Sequence, residues 1–187
     1  LPSLETGLHK FNDRLSVIRK AGIRFQAAWA CFSAGRYDLA AHWCRDLLNE
    51  RGIEQHVETL AMGRLLELMI LLETGKTDLL IYAVRNVERF LRSHRRQFRF
   101  ERAMLAYVKA RMRTKEPPRV QASHNALVMA LSALETDPRE QAVFDHLDPL
   151  CYALAKQSGR SMTEMAKERA DQGRVLPKPT SSGRKAA

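Results

Sequence analysis

Length, composition and charge place the chain among globular proteins that fold on their own. Its 187 residues are enough for one domain with a buried core, and 45% hydrophobic against 28% charged residues excludes wholesale disorder. The 31 Lys and Arg against 21 Asp and Glu give a formal net charge of +10, which favours anionic partners of any class, from nucleic acid to an acidic protein surface.

Periodic apolar residues predict a first helix that begins near Ser3. Its apolar stripe consists of Leu4, Leu8, Phe11, Leu15 and Ile18. Two further helices are expected, over about 23–34 and 37–50, because Gly35 and Gly52 follow them and glycine readily takes the left-handed conformation that ends a helix. No segment alternates as a strand does, so the predicted fold class is all-α.

The middle of the chain continues the helical pattern. A long helix is predicted over about 55–74, ended by Gly75, and the next starts near Thr77 or Asp78. The most apolar window, 60–72, lies inside the long helix. It is shorter than the roughly 20 residues that cross a bilayer, so we expect no membrane insertion.

Prolines and a capping box mark the helices of the C-terminal part. Pro117 and Pro118 separate two helices, while Pro138 and Pro149 each follow an Asp and are expected to begin helices. The last helix is expected over 162–170, because Ser161 and Glu164 have the spacing of a capping box. Pro, Ser, Gly, Lys and Arg dominate the segment beyond it, which predicts a mobile basic tail over 173–187.

The chain repeats itself at an offset of about 40 residues. The aligned pairs are Gly35 and Gly75, Arg36 and Lys76, Asp38 and Asp78, Leu39 and Leu79, Arg45 and Arg85, and Leu47 and Val87. Each unit is a helix, a glycine turn and a second helix, and such hairpins stack because one alone cannot bury both of its apolar faces. We therefore predict one helical-repeat domain over 1–172, with hairpins near 22–51, 55–95, 97–135 and 138–170.

Four residues of the first hairpin have the spacing of a known repeat. Ala28 lies in the first helix, Gly35 at the turn, and Tyr37 and Ala40 at the start of the second helix. In these positions the sequence resembles the tetratricopeptide-repeat family, and the stretch 73–101 is similar to segments of uncharacterised bacterial helical-repeat proteins. The resemblance implies a right-handed stack of antiparallel helical hairpins, an α-solenoid, and no catalytic activity.

Arginines are concentrated between positions 85 and 102. They are Arg85, Arg89, Arg92, Arg95, Arg96, Arg99 and Arg102. Five of them would share one stripe of a continuous helix, which a turn near Ser93 and His94 would divide. Their planar guanidinium groups suit carboxylates and phosphates, so they are candidates for binding an anionic partner. The alternative is that they pair with glutamates elsewhere in the stack.

Three aromatic residues surround the first hairpin: Trp29, Tyr37 and Trp43. One interpretation is that they pack its two helices together. The other is that they line an inner groove and anchor a partner helix or peptide, as aromatic residues of helical-repeat stacks can.

The sequence has no recognisable catalytic, cofactor or metal pattern. The histidines are scattered without ligand spacing, and no glycine-rich phosphate loop is present. Three cysteines without a CxxC motif indicate buried thiols in a reducing compartment, and we expect a cytoplasmic location.

These features predict a non-catalytic protein-interaction or scaffold module for a protein or peptide partner, which the net charge predicts to be acidic. We expect no enzyme activity, no cofactor and no metal. Because the chain does not begin with Met, we expect it to be the C-terminal part of a longer helical-repeat protein. An RNA- or DNA-binding solenoid that uses the arginine-rich face is the alternative.

Overall fold

Helix follows helix through the described part of the chain, which in this computed structural model comprises residues 6–7, 10, 14–96, 98–140, 143–144 and 147–171. The helices are α1 (Val17–Ser33), α2 (Tyr37–Leu48), α3 (Val57–Glu73), α4 (Thr77–Ser93), α5 (Arg99–Arg113), α6 (Pro117–Glu135), α7 (Pro149–Ser158) and α8 (Met162–Asp171). A single 3₁₀ turn, Ile53–Gln55, precedes α3. No strand occurs among the described residues, so the all-α prediction is confirmed.

Two glycines end the first helices of successive hairpins in the same way. Gly35 and Gly75 have φ values of +71° and +67°. The residue after each glycine donates its backbone N–H back into the helix, from Arg36 to the carbonyl of Cys31 at 2.8 Å and from Lys76 to the carbonyl of Leu71 at 3.1 Å. The repeat seen in the sequence is therefore a repeat of structure.

The hairpins stack with their first helices side by side. Each helix packs against the next, and α1 also packs against α3, as α3 does against α5. In the central α3, Glu58 is exposed while the other sixteen residues are buried or half-buried. The described chain is thus an all-α helical stack around one main core, with a smaller cluster of Cys151, Ala155 and Met165 between α7 and α8.

A glycine inside α3 allows α2 to approach closely. A Cβ atom at Gly63 would lie 2.9 Å from Cδ2 of Leu47 and 3.1 Å from Cδ2 of Leu48. The Cys44 thiol donates a hydrogen bond to the carbonyl oxygen of Gly63 at 3.2 Å. The close packing that glycine allows here therefore offsets its low helix propensity.

The last hairpin folds back over the stack. Tyr152 of α7 is almost fully buried, and its ring lies 5.6 Å from that of Phe32 on α1 and 6.0 Å from that of Tyr107 on α5. Its hydroxyl donates to Glu73 of α3 at 2.8 Å, and Lys156 forms an ion pair with the same carboxylate. In an open solenoid each unit contacts only its neighbours. Here α7 reaches the first helix of every preceding hairpin.

Two predicted helix starts are wrong. A break was expected between Ile18 and 23, but α1 runs unbroken from Val17, after Ser16 in extended conformation (ψ 155°). Pro138 begins a turn over 138–140 instead of a helix. There the Asp137 carboxylate accepts a hydrogen bond from the backbone N–H of Arg139 at 3.0 Å, which stabilises the turn.

Other local predictions match the structure. The Asp148 carboxylate accepts a hydrogen bond from the backbone N–H of Cys151 at 3.1 Å and caps α7, which starts at Pro149 as predicted. At α8 the Ser161 hydroxyl accepts from the backbone N–H of Glu164 at 3.2 Å, while the Glu164 carboxylate accepts from the backbone N–H of Ser161 at 2.9 Å. The predicted start near Ser3 and the predicted tail over 173–187 lie outside the described residues.

None of the helices in the described ranges combines the length and apolarity that a bilayer crossing requires.

Candidate anion-binding surface

Helix α4 stands at the edge of the core and leaves one broad face open. It packs on the stack through Leu80, Val84, Val87 and Leu91, which recur at helical spacing. Ten of its 17 residues are exposed. The opposite face is therefore available to a partner.

A turn divides the arginine run. Helix α4 ends at Ser93, whose hydroxyl donates to the carbonyl of Phe90 at 2.9 Å. Arg95 then takes a left-handed φ of +52°, and the backbone N–H of Arg96 donates to the carbonyl of Leu91 at 2.8 Å. The single long stripe does not form. Three of the arginines lie on α4, two in the turn and two on α5.

Two of the seven predicted arginines pair with acids of the stack. The Arg96 side chain is only 15% exposed, donates from Nε to Glu101 Oε1 at 3.0 Å, and lies 4.8 Å above the ring of Phe98. Arg99 donates from Nη1 to Asp137 Oδ2 at 3.0 Å. These two arginines hold the start of α5 in place, as the pairing alternative anticipated.

The other five arginines face solvent. Arg85, Arg89, Arg92, Arg95 and Arg102 are all exposed. None of them forms an ion pair with an acid within the described ranges of the chain. We call these five residues the arginine surface.

A cleft of about 310 Å³ runs between α4 and α5 beneath this surface. Arg92 and Arg102 line it, together with the ion pair of Lys109 and Glu88 that links the two helices. Glu101 lies at its inner end, fully buried, and its Oε2 atom has no hydrogen-bond partner in the described part of the chain. Burial raises the pKa of Glu101, while the Arg96 guanidinium acts in the opposite direction.

Exposed apolar side chains extend the arginine surface toward the start of α4. Leu79 is 57% exposed and Tyr82 is 65% exposed. Neither residue was predicted as part of the site. Their position off the apolar stripe that begins at Leu80 is the sequence signal that could have indicated their exposure. Leu39, the repeat equivalent of Leu79, is half-buried against the core.

The three predicted groove aromatics pack against neighbouring side chains. Trp43 is 1% exposed, so its ring is not offered to a partner. Trp29 stacks on Phe32 with ring centroids 5.8 Å apart, and Tyr37 lies 5.6 Å from the same ring. Burial, and then the Glu73 carboxylate, raise the pKa of the Tyr37 hydroxyl. Helix α7 covers this end of the inner face through its contact with Phe32.

The other end of the inner face contains an apolar cavity of about 420 Å³ between α1 and α3. Its lining includes Ile18, Phe25, Met62 and Leu147. Glu58 is the charged residue among the described ones in this lining, and its carboxylate would repel an anion.

The buried thiols are held in the protonated form. Burial raises the pKa of Cys31 and Cys44, and burial followed by the neighbouring Asp148 raises that of Cys151 to about 12. All three cysteines are free. In the described ranges no group of three His, Cys, Asp or Glu side chains is placed to hold a metal ion.

No family model matches the chain, and no curated protein or solved structure matches it either. Its function is therefore inferred from the surfaces described above.

Proposed function

We propose that this protein is a non-catalytic binding module, a tetratricopeptide-like helical stack that docks an acidic protein or peptide on its arginine surface. The observation that carries the proposal is the group of five exposed arginines that no acid of the described residues pairs with. Other arginines do pair, as between Arg24 and Glu50 and between Arg169 and Glu135, whereas these five concentrate positive charge on α4 and just after it. Like charges this close destabilise the helix by a few tenths of a kcal/mol for each pair, which a bound anion would offset.

Small residues support the tetratricopeptide-like character of the first hairpin. Ala28 and Ala40 are both fully buried where α1 and α2 meet, and Gly35 supplies the turn between these helices. Short side chains at such positions let two helices approach closely.

The side chains around the arginine surface favour a protein over a nucleic acid. Binding of single-stranded nucleic acid uses exposed aromatic rings on which bases stack. Among the described residues beside the arginines, Tyr82 is the exposed ring, since the Arg96 guanidinium covers the ring of Phe98 and both Phe100 and Tyr107 are buried. One ring offers a platform to a single base, and Leu79 beside it is 57% exposed and suits an apolar protein side chain.

The proposal is tested by fluorescence anisotropy with a labelled oligoglutamate peptide and a labelled oligouridine RNA, each titrated at several salt concentrations. We expect the peptide to bind, and Arg85→Glu with Arg89→Glu to weaken its binding about thirtyfold, since each of the two reversed charges at such a contact costs on the order of 1 kcal/mol. The matched control is Arg45→Glu with Arg119→Glu, which makes the same change in net charge. Arg45 occupies the position in α2 that Arg85 occupies in α4, and both control residues are exposed. We expect the control to bind like the unmodified chain.

Two results would contradict the proposal. One is equal weakening by both double variants, which would show that only overall charge matters. The other is tighter binding of the RNA than of the peptide, with a steep linear loss of log affinity against log salt that Arg85→Glu with Arg89→Glu reduces. That second result would establish the nucleic-acid alternative.

A further inference from the structure

The open face of α4 is apolar at one end and basic along the rest. Tyr82, Arg85, Arg89 and Arg92 follow one another at spacings of three, four and three, so they lie on one side of the helix. Leu79 stands beside them, one turn before Tyr82. At 1.5 Å per residue the face from Leu79 to Arg92 is about 20 Å long, which matches three to four turns of a second helix.

The backbone of α4 cannot form hydrogen bonds with an extended peptide. Its N–H and C=O groups are used within the helix, so recognition by strand addition is excluded and contact must be made by side chains. A helix laid along α4 would present side chains every three or four residues, at the same spacing as the residues it meets.

A second copy of the chain does not suit this face. Pairing α4 with another α4 would bring arginines together, and the acids available on α4 are Asp78 and Glu88. Glu88 is already engaged by Lys109 of α5. Symmetric pairing of α4 with α4 therefore leaves the arginines without complementary charges, which a separate acidic segment would supply.

From these observations we infer that the partner segment is an acidic amphipathic helix that lies along α4. Its apolar side chains contact Leu79 and Tyr82, and its carboxylates pair with the arginine surface. The inference rests on the proposed function and adds the conformation and the apolar component of the partner. Arginines alone would accept any acidic peptide, whereas Leu79 and Tyr82 select one that carries apolar residues on one side.

The test uses three labelled probes measured by fluorescence anisotropy. The first is a designed 16-residue peptide of Glu and Leu with leucines at i, i+3, i+7 and i+10; the second is a scrambled peptide of the same composition without an apolar side; the third is oligoglutamate. We expect the first to bind at least tenfold more tightly than the other two. Circular dichroism of the bound peptide should show that it has become helical.

The protein variant that isolates the apolar contact is Leu79→Ala with Tyr82→Ala. We expect it to bind the amphipathic peptide about tenfold less tightly, since exposed anchors that become covered on binding dominate such interfaces. Both side chains are exposed, so the variant should fold, which its far-UV circular dichroism checks. The matched control is Met129→Ala on α6, because Met129 is 75% exposed and lies on another helix. It should bind like the unmodified chain.

Each failure has a distinct meaning. If the scrambled peptide and oligoglutamate bind as tightly as the amphipathic helix, or if Leu79→Ala with Tyr82→Ala binds like the unmodified chain, the inference is wrong while the proposed docking of an acidic partner stands. If none of the three peptides binds and the RNA does, both are wrong. Dimerisation of the free chain in light scattering that Tyr82→Ala abolishes would instead show that a second copy covers this face.

Discussion

At the scale of single residues, Arg95 has a backbone conformation that destabilises the fold. It ends α4 with a left-handed φ of +52°, whereas Gly35 and Gly75 do so without a side chain at the equivalent turns of α1 and α3. The same hydrogen bond closes all three turns, donated by the residue that follows. An L residue in this conformation costs on the order of 1 kcal/mol. At Arg95 the chain keeps a positive charge on the arginine surface at the expense of stability.

Arg95→Gly should therefore raise the free energy of unfolding by about 1 kcal/mol. Urea denaturation followed by circular dichroism measures the change. As the control, Gly35→Ala should lower it by a similar amount, because no atom lies within 4 Å of the added Cβ and only the backbone is strained. A loss of stability in Arg95→Gly would show that the side chain makes a contact more favourable than the strain it imposes.

His124 should make stability depend on pH. Burial, and then Arg111 and Lys156, lower its pKa from the ordinary value of 6.5, while Glu73 acts in the opposite direction. The folded protein thus keeps the imidazole neutral, and below about pH 6.5 the unfolded chain takes up a proton that the folded chain does not. The stability that His124 contributes is present above that pH and is lost as the pH falls through the folded pKa.

We expect the free energy of unfolding to decrease from pH 7.5 to pH 5.5, and to decrease less in His124→Gln. Urea denaturation at the two pH values gives both differences. Equal decreases in the two proteins would mean that His124 titrates alike in the folded and unfolded states.

At the scale of helices, α7 is the element that closes the stack. Its Tyr152 hydroxyl, which donates to Glu73, also lies 3.2 Å from that of Tyr107, and desolvation raises the Tyr152 pKa well above its ordinary range. These contacts join residues 45 and 79 positions apart. Buried hydrogen bonds therefore add to the apolar packing that holds α7 against α3 and α5.

Tyr152→Phe should lower the free energy of unfolding by about 1 to 2 kcal/mol, because the ring stays while the hydrogen bonds to Glu73 and Tyr107 are lost. Tyr82→Phe removes a hydroxyl from an exposed tyrosine and should change stability by less than about 0.5 kcal/mol. Thermal or urea denaturation compares the two. Equal effects would mean that α7 is held by packing alone.

The helices themselves could be predicted from the sequence where the signal was local. Gly35, Gly75 and the pair of Ser161 and Glu164 end or begin helices through contacts within a few residues, and these predictions were correct. The return of α7 to Phe32 could not be predicted, because it depends on packing across the whole stack. Pro138 failed for a related reason, since its turn is fixed by Asp137 and by the distant α5, to which Glu140 is hydrogen-bonded.

The arginines of the candidate site could be predicted from the sequence, but which of them form ion pairs could not. The arginine run stands out in the sequence, yet the ion pair of Arg99 with Asp137 joins residues 38 positions apart. Only the fold separates Arg96 and Arg99 from the five arginines of the arginine surface. The exposure of Tyr82 likewise depends on how little of α4 the following hairpin covers.

At the scale of the whole molecule, some basic side chains are ion-paired and others are not. The chain carries a formal net charge of +10, but many of its basic groups pair with acids inside the stack. Glu58 is the charged residue among the described ones that line the apolar cavity, whereas the arginine surface lies on α4, in the turn after it and on α5. An acidic partner should therefore be drawn to the arginine surface and not to the apolar cavity.

The docking of an acidic partner on the arginine surface is tested most directly by mapping backbone amide shifts in ¹H–¹⁵N NMR spectra during titration with oligoglutamate. We predict that the largest shifts fall on α4 between Tyr82 and Arg92, on Arg95 and on Arg102, and that they weaken as salt is added. Shifts centred on Ile18, Phe25 and Met62 around the inner cavity, or small shifts spread evenly over every basic residue, would contradict a specific docking site on the arginine surface.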